Sequence, residues 1–301
     1  MTKPFFLEKI SKHQPKTRIA RKPNQPMSIS NLSVVHPDAQ IGQGVVIEAF
    51  AIIEADVVIG DGCWIGPHAI VMNGARLGTN CKIFPGAVVG SIPQDMKFKG
   101  EKTTIELGNR VTVREYCTLN RGTEANGRTV IGDDCLLMAY VHVAHDCLIG
   151  KNCIFANNVT LAGHIEVGDY TVLGGFVAIH QFVKIGEHVM VGGTGKVRKD
   201  IPPYIKADRE PLAYAGVNST GLQRRGFSNE QITNIHDAYR LLFIKGLNTK
   251  QALEQIEATV PDTPEKATIL SFFAANTRGI LPGPKLNGTK SDLVKLDAKL
   301  D

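Results

Sequence analysis

From Val35 to Val89 an apolar residue falls at every sixth position without a miss, through Ile41, Ile47, Ile53, Ile59, Ile65, Val71, Leu77 and Ile83. The ladder resumes in phase at Leu107, Val113 and Leu119, then runs unbroken from Ile131 to Val197. A helix needs apolar residues at 3.6-residue spacing and a half-buried strand needs alternation. A period of six, with one strand-forming residue and one turn per unit, instead marks a solenoid. Three hexads make a triangular coil of 18 residues, and coils stack at the inter-strand spacing of roughly 4.8 Å.

Four residues after each anchor sits a second small or apolar residue, as at Ala39, Val45, Ala51, Val57, Cys63 and Ala69, so two side chains per hexad fill the inside. Glycine follows many anchors, at Gly42, Gly60, Gly66, Gly78, Gly132, Gly150, Gly168 and Gly186. These glycines are expected to supply permissive dihedrals at the corners. The ladder breaks at 91–106 and again at 124–128, and loops thrown out of a regular scaffold are where function collects.

Pro202 and Pro203 remove the donors that a further parallel coil would need, so the solenoid is expected to stop there. Helical periodicity follows: Ser228 can cap one helix, Asn248 or Thr249 a second, and Thr263-Pro264 can open a third. The expected organisation is a flexible basic extension over 1–30 and a parallel β-solenoid over 31–206. A helical C-terminal domain over 207–283 and a flexible tail over 284–301 complete it.

The 43% hydrophobic content is ordinary for a soluble globular chain, and no apolar run reaches the length needed to cross a bilayer. A net charge of +5 is too small to argue for nucleic acid, though it suits an acidic protein partner. All six cysteines occupy the inward position four after an anchor, which reads as core filling and a reducing, cytoplasmic setting.

Hexads 18 residues apart share a wall, so V-A-H-D-C-L from Val143, L-A-G-H-I-E from Leu161 and I-H-Q-F-V-K from Ile179 are successive rungs. That register puts Asp146 under His164 and His145 under Gly163, with His180 and Gln181 on the next rung and His142 just before the wall. An imidazole beside a carboxylate is the usual general-base arrangement. Gly163 would let a substrate carbonyl reach a backbone N–H. No serine or cysteine is placed as a nucleophile, so direct transfer between two substrates is the simpler chemistry. Two alternatives remain: a solvent-exposed histidine stripe without a task, and a metal held by His142, His145 and His164. Asp146 and Gln181 suit substrate hydrogen bonds better, and no metal is expected.

The segments G-S-I-P-Q-D-M-K-F-K-G-E at 90–101, N-R-G-T at 120–123, V-H-V-A-H-D-C at 141–147, N-N-V-T-L-A-G-H at 157–164, A-I-H-Q-F at 178–182, H-V-M-V-G-G at 188–193 and G-L-Q-R-R-G-F-S at 221–228 closely resemble the UDP-N-acetylglucosamine O-acyltransferases of lipid A biosynthesis. The resemblance spans about residues 31 to 280 and implies a left-handed β-helix and a homotrimer with its site between neighbouring prisms. It implies transfer of an (R)-3-hydroxyacyl chain from acyl carrier protein, where the chain rides on phosphopantetheine, to the 3-hydroxyl of UDP-N-acetylglucosamine, with no further cofactor.

By the same resemblance His145 is the base, Asp146 holds its ring and the Gly163 N–H stabilises the oxyanion. Asp95, Lys97 and His142 contact sugar or donor, while His164, His180, Gln181, Asn218 and Arg224 line the groove. Gly193 matches the acyl-length ruler and, being open, implies a long chain. Lys196, Arg198, Lys199, Lys206, Arg224 and Arg225 could meet the acidic carrier. Asn120 stands where the family has His, and Thr220 where it has Glu, which leaves a 3-amino sugar acceptor and the uridine contacts open. Rival readings are another hexad acyltransferase, such as a coenzyme A-dependent one, and a non-catalytic scaffold.

Overall fold

A computed structural model describes residues 27–275 and 278–284. Most of the expected basic extension and the expected tail after 284 lie outside the described residues. The hexads form short parallel strands in three walls. The first wall runs in eleven strands from Ser28–Ile29 to Ile205–Asp208 and Ala213–Val217, the second in nine from Val34–Val35 to Lys196–Val197, and the third in eight from Gln40–Ile41 to Lys184–Ile185. Register is the 18-residue step through the regular coils, as where His142 pairs with Thr160 and Thr160 with Ala178, and shortens to 16 only in the last coil, where Met190 pairs with Lys206.

Anchors and their partners four residues on are buried together, from Val45 and Ile47 through Phe155 to Val191. The prism is therefore filled by side chains, with no lumen to hold a ligand. Its thiols are part of that filling: all six cysteines are free and buried.

The named glycines have a different cause from the one expected. None of the eight has positive φ. They are excluded-volume positions instead: a Cβ on Gly132 would lie 2.7 Å from the carbonyl carbon of Gly150 and the amide of Lys151. The left-handed turn residue falls two places later, and there the chain mostly carries side chains, as at Asn80, Arg110, Asp134, Asp146, His164 and His188.

Pro202 and Pro203 do not end the first wall. They fall on a corner, and the chain still adds Ile205–Asp208 in parallel to Met190–Val191, because a corner asks little of the missing donors. An unforeseen antiparallel partner, Ala213–Val217, then closes the wall. Four helices follow: α1 (Ser219–Arg224), α2 (Asn229–Phe243), α3 (Thr249–Thr259) and α4 (Pro264–Ala274). Ser228 and Asn248 each make a reciprocal capping box, and Thr263 caps α4 with Pro264 at its first turn. Only α1 was not foreseen; at six residues it is too short to show periodicity.

The packing cause of the glycine column is testable. Gly132→Ala is expected to lower the urea midpoint by the equivalent of about 1–3 kcal/mol, since the obstructing atoms are backbone. A wild-type midpoint would contradict it.

Candidate active site

Both interruptions of the ladder leave the prism at one edge, the turn from the second wall to the third. The first spans the gap between Val88–Ser91 and Thr104–Leu107, and the second the gap between Thr118–Asn120 and Arg128–Ile131. The next rungs at that edge carry His145 and Asp146, then Gly163 and His164, then Gln181 and Phe182. The two excursions and the histidine wall are therefore one locus.

Asp146 is 1% exposed and sits at φ 61°. Its Oδ2 is 2.7 Å from His145 Nδ1 and accepts from the Thr123 hydroxyl at 2.6 Å; its Oδ1 accepts the Thr123 amide at 3.0 Å. Burial by itself would raise its pKa, but the hydrogen bonds from Thr123 and His145 outweigh that and hold it below the usual carboxylate value. A carboxylate only accepts, so the His145 Nδ1 is the donor, and in the neutral ring the lone pair is on Nε2. Asp95, from the first excursion, brings Oδ2 within 4.0 Å of that Nε2.

Gly163 has a physical necessity beyond the expected one: a Cβ there would lie 2.5 Å from His145 Cε1, so the imidazole occupies the space that a side chain would need. Its amide makes no hydrogen bond among the described residues. At the edge between the third and first walls the matching amides of Gln43, Asn109 and Lys151 are taken by Asp61, Asp133 and Asp169 of the next rung. Gln181 does not do this for Gly163, which leaves the donor open.

His164 stacks on Phe182 with ring centroids 4.6 Å apart and lies edge-on to His145. Its Nε2 is 3.7 Å from Asp146 Oδ2, yet burial dominates and lowers its pKa despite that carboxylate. His142 faces Thr118, Nδ1 to Oγ1 2.7 Å, and is lowered by burial. His180 is exposed, with Arg278 3.0 Å from its Nδ1. Lys97 is exposed; its amide donates to Asp95 Oδ1. Asn120 points away from the surface, being 1% exposed and donating to Ser91 Oγ and Ile92 O. It pegs the root of the first excursion.

Other expected site residues lie on other edges of the same chain. Asn218 donates to the carbonyl of His188, at the edge between third and first walls. Arg224 is exposed at the end of α1. Gly193 lies at the edge between first and second walls, where a Cβ would meet Gly175 O at 3.3 Å. The structure thus unites Asp95, His145, Asp146, Gly163, His164 and Gln181, and leaves Asn218, Arg224 and Gly193 apart from them within one chain.

Sequence reasoning missed Thr123, Thr129 and Phe182. Phe182 was findable, since it follows His164 by 18 residues, and so was Thr129, whose strand keeps the 18-residue step to the rung of Asp146; Thr123 was not, because the excursion that holds it breaks that arithmetic. His145, Asp146 and His164 place ligand atoms within 4.8 Å of one another, close enough for a divalent ion. Asp146 Oδ2, however, is already engaged by two protein donors, and His145 Nδ1 by Asp146. The nearby Cys147 thiol is pushed up to about 12 by burial and cannot serve as a nucleophile.

Residues 200–281 match the family described as Udp N-acetylglucosamine O-acyltransferase; Domain 2, and residues 56–91 and 128–163 match Bacterial transferase hexapeptide (six repeats). An acyl-[acyl-carrier-protein]--UDP-N-acetylglucosamine O-acyltransferase of Trichlorobacter lovleyi is 52% identical over 261 residues, covering 85% of this chain and 100% of its own. One from Chlorobaculum tepidum is 58% identical over 188 residues, 62% of this chain and 71% of its own. The crystal structure of a UDP-N-acetylglucosamine acyltransferase from Bacteroides fragilis superposes with TM-score 0.83 at 50% identity, covering 84% of this chain and 99% of that one. The solenoid is accordingly a left-handed parallel β-helix.

His188, sandwiched between Tyr170 and Tyr204, has its pKa lowered to about 4 by burial and then by Arg225, against Asp169. The unfolded chain takes up this proton near 6.5, so its neutral form contributes stability above that pH, which is lost as pH falls toward about 4. His188→Phe is expected to flatten urea stability between those values; an unchanged slope would contradict the assignment.

Proposed function

The chain belongs to the UDP-N-acetylglucosamine O-acyltransferase family, and from that premise we propose that it transfers an (R)-3-hydroxyacyl chain from acyl carrier protein to the glucosamine 3-hydroxyl of UDP-N-acetylglucosamine, the first step of lipid A biosynthesis. The observation that carries the mechanism is the His145–Asp146 pair set against the open amide of Gly163. His145 Nε2 takes the proton of the 3-hydroxyl as its oxygen bonds to the thioester carbonyl carbon. The resulting oxyanion accepts from the Gly163 N–H. Collapse breaks the C–S bond, and the phosphopantetheine sulfur leaves with the proton from His145, giving ester and free thiol. No covalent enzyme intermediate is needed, and no cofactor beyond the carrier's own arm.

Asp95, Lys97 and His142 hold the sugar or donor, with His164, His180 and Gln181 along the groove. Asn218 lines the groove, and Arg224 lies near the nucleotide, its guanidinium suiting the phosphates. These groups lie on different edges of one prism, so a complete site needs a neighbouring copy, which supports a homotrimer. The exposed aromatics Phe50, Tyr116, Tyr140 and Phe176 give such neighbours apolar surface to cover. Lys196, Arg198 and Lys199, grouped around one cavity, suit the acidic carrier. Among the described residues no helix is long and apolar enough to cross a membrane, and six free thiols suit the cytoplasm.

His145→Ala is expected to sediment as three chains like the wild type yet lose about 10²–10⁴-fold in acyl transfer from 3-hydroxyacyl carrier protein, while coenzyme A thioesters serve poorly with either protein. Wild-type turnover in the mutant would remove the general-base mechanism. Gly193→Leu should shift preference from long to short acyl chains, read by competing donors of graded length; an unshifted preference would remove Gly193 as the ruler.

A further inference from the structure

We infer that Thr123 is a positioning residue for the transfer: it holds the Asp146 carboxylate in the one orientation that keeps His145 Nε2 unprotonated and aimed at the acceptor. This rests on His145 being the base. Thr123 is itself buried, 8% exposed, and gives Asp146 two hydrogen bonds, amide to Oδ1 at 3.0 Å and hydroxyl to Oδ2 at 2.6 Å. The two bonds from one residue fix the plane of the carboxylate as well as its position.

The orientation has a competitor. His164 Nε2 is 3.7 Å from the same Oδ2 that faces His145 Nδ1. A carboxylate free to rotate could shift its oxygen toward His164 and leave the His145 tautomer undetermined. Thr123 prevents this, and the surrounding chain supports it. Thr129 Oγ1 accepts the Asp146 amide at 2.8 Å, Asn126 Nδ2 donates to the Asp146 carbonyl at 3.3 Å, and the Ala125 amide donates to Thr123 Oγ1 at 3.3 Å. The second interruption of the ladder thereby acquires a reason: it folds back on its own edge to deliver this donor pair. A partner that orients a histidine through its carboxylate leaves substrate contacts alone, so its loss belongs in kcat.

The test is acyl transfer from 3-hydroxyacyl carrier protein to UDP-N-acetylglucosamine by the full chain. Thr123→Val is expected to lower kcat roughly 10–100-fold, with both KM values within about twofold of wild type, and Thr123→Ser to restore kcat. In a His145→Ala background Thr123→Val should cost nothing further. Wild-type kcat in Thr123→Val, or an undiminished loss in the His145→Ala background, would overturn the inference. Thr123→Ala applies the same criteria should valine disturb the loop. Loss in His145→Ala without loss in Thr123→Val removes Thr123 alone; full turnover in His145→Ala removes the base and Thr123 together.

Discussion

The parallel backbone pairing that sets residues 18 apart side by side carries everything else in this molecule. Each strand is only two residues long in most rungs, too short to stand by itself, and it persists because it is paired above and below and its anchor is sealed inside. Once that step is set, every outward side chain has a known neighbour. The stacks of Phe50 on His68, Tyr116 on Tyr140 and Tyr170 on His188 follow from the step, as does the imidazole of His145 lying where Gly163 has no side chain.

That arithmetic explains how much could be read in advance. The walls, the inward cysteines and the juxtaposition of His145 with Gly163 and of Asp146 with His164 all follow from counting by 18, and the structure has them in that register. What escaped counting lies where counting stops. Thr123 belongs to an excursion, and nothing in its spacing announces that it returns to Asp146. The strand Ala213–Val217 lies beyond the last hexad, and a Pro-Pro pair suggested an ending that corner geometry does not require. The glycines were found but misattributed, because a contact with the next rung and a permissive φ leave the same residue in the sequence.

The charge arrangement separates decoration from machinery. Arg110 with Asp134 and Arg76 with Asp56 are well-formed pairs, 2.6 Å apart, but both are solvated on the outside, where such pairs are worth little. Asp146 is a buried carboxylate satisfied by three hydrogen bonds, two from Thr123 and one from His145, and removing any donor leaves a costly group behind. Its stability and its service to His145 come from the same contacts.

The two excursions add chain without disturbing the stack. Val88 pairs with Thr118 and Thr118 with His142, steps of 30 and 24 residues where an uninterrupted coil needs 18. The surplus is extruded at one edge, and the cost of closing such loops rises only with the logarithm of their length, about 0.6 kcal/mol per doubling. A prism of this kind can therefore change its chemistry by trading loop segments along one seam. Descendants could lengthen, shorten or replace what overhangs the histidines while inheriting the column beneath unaltered.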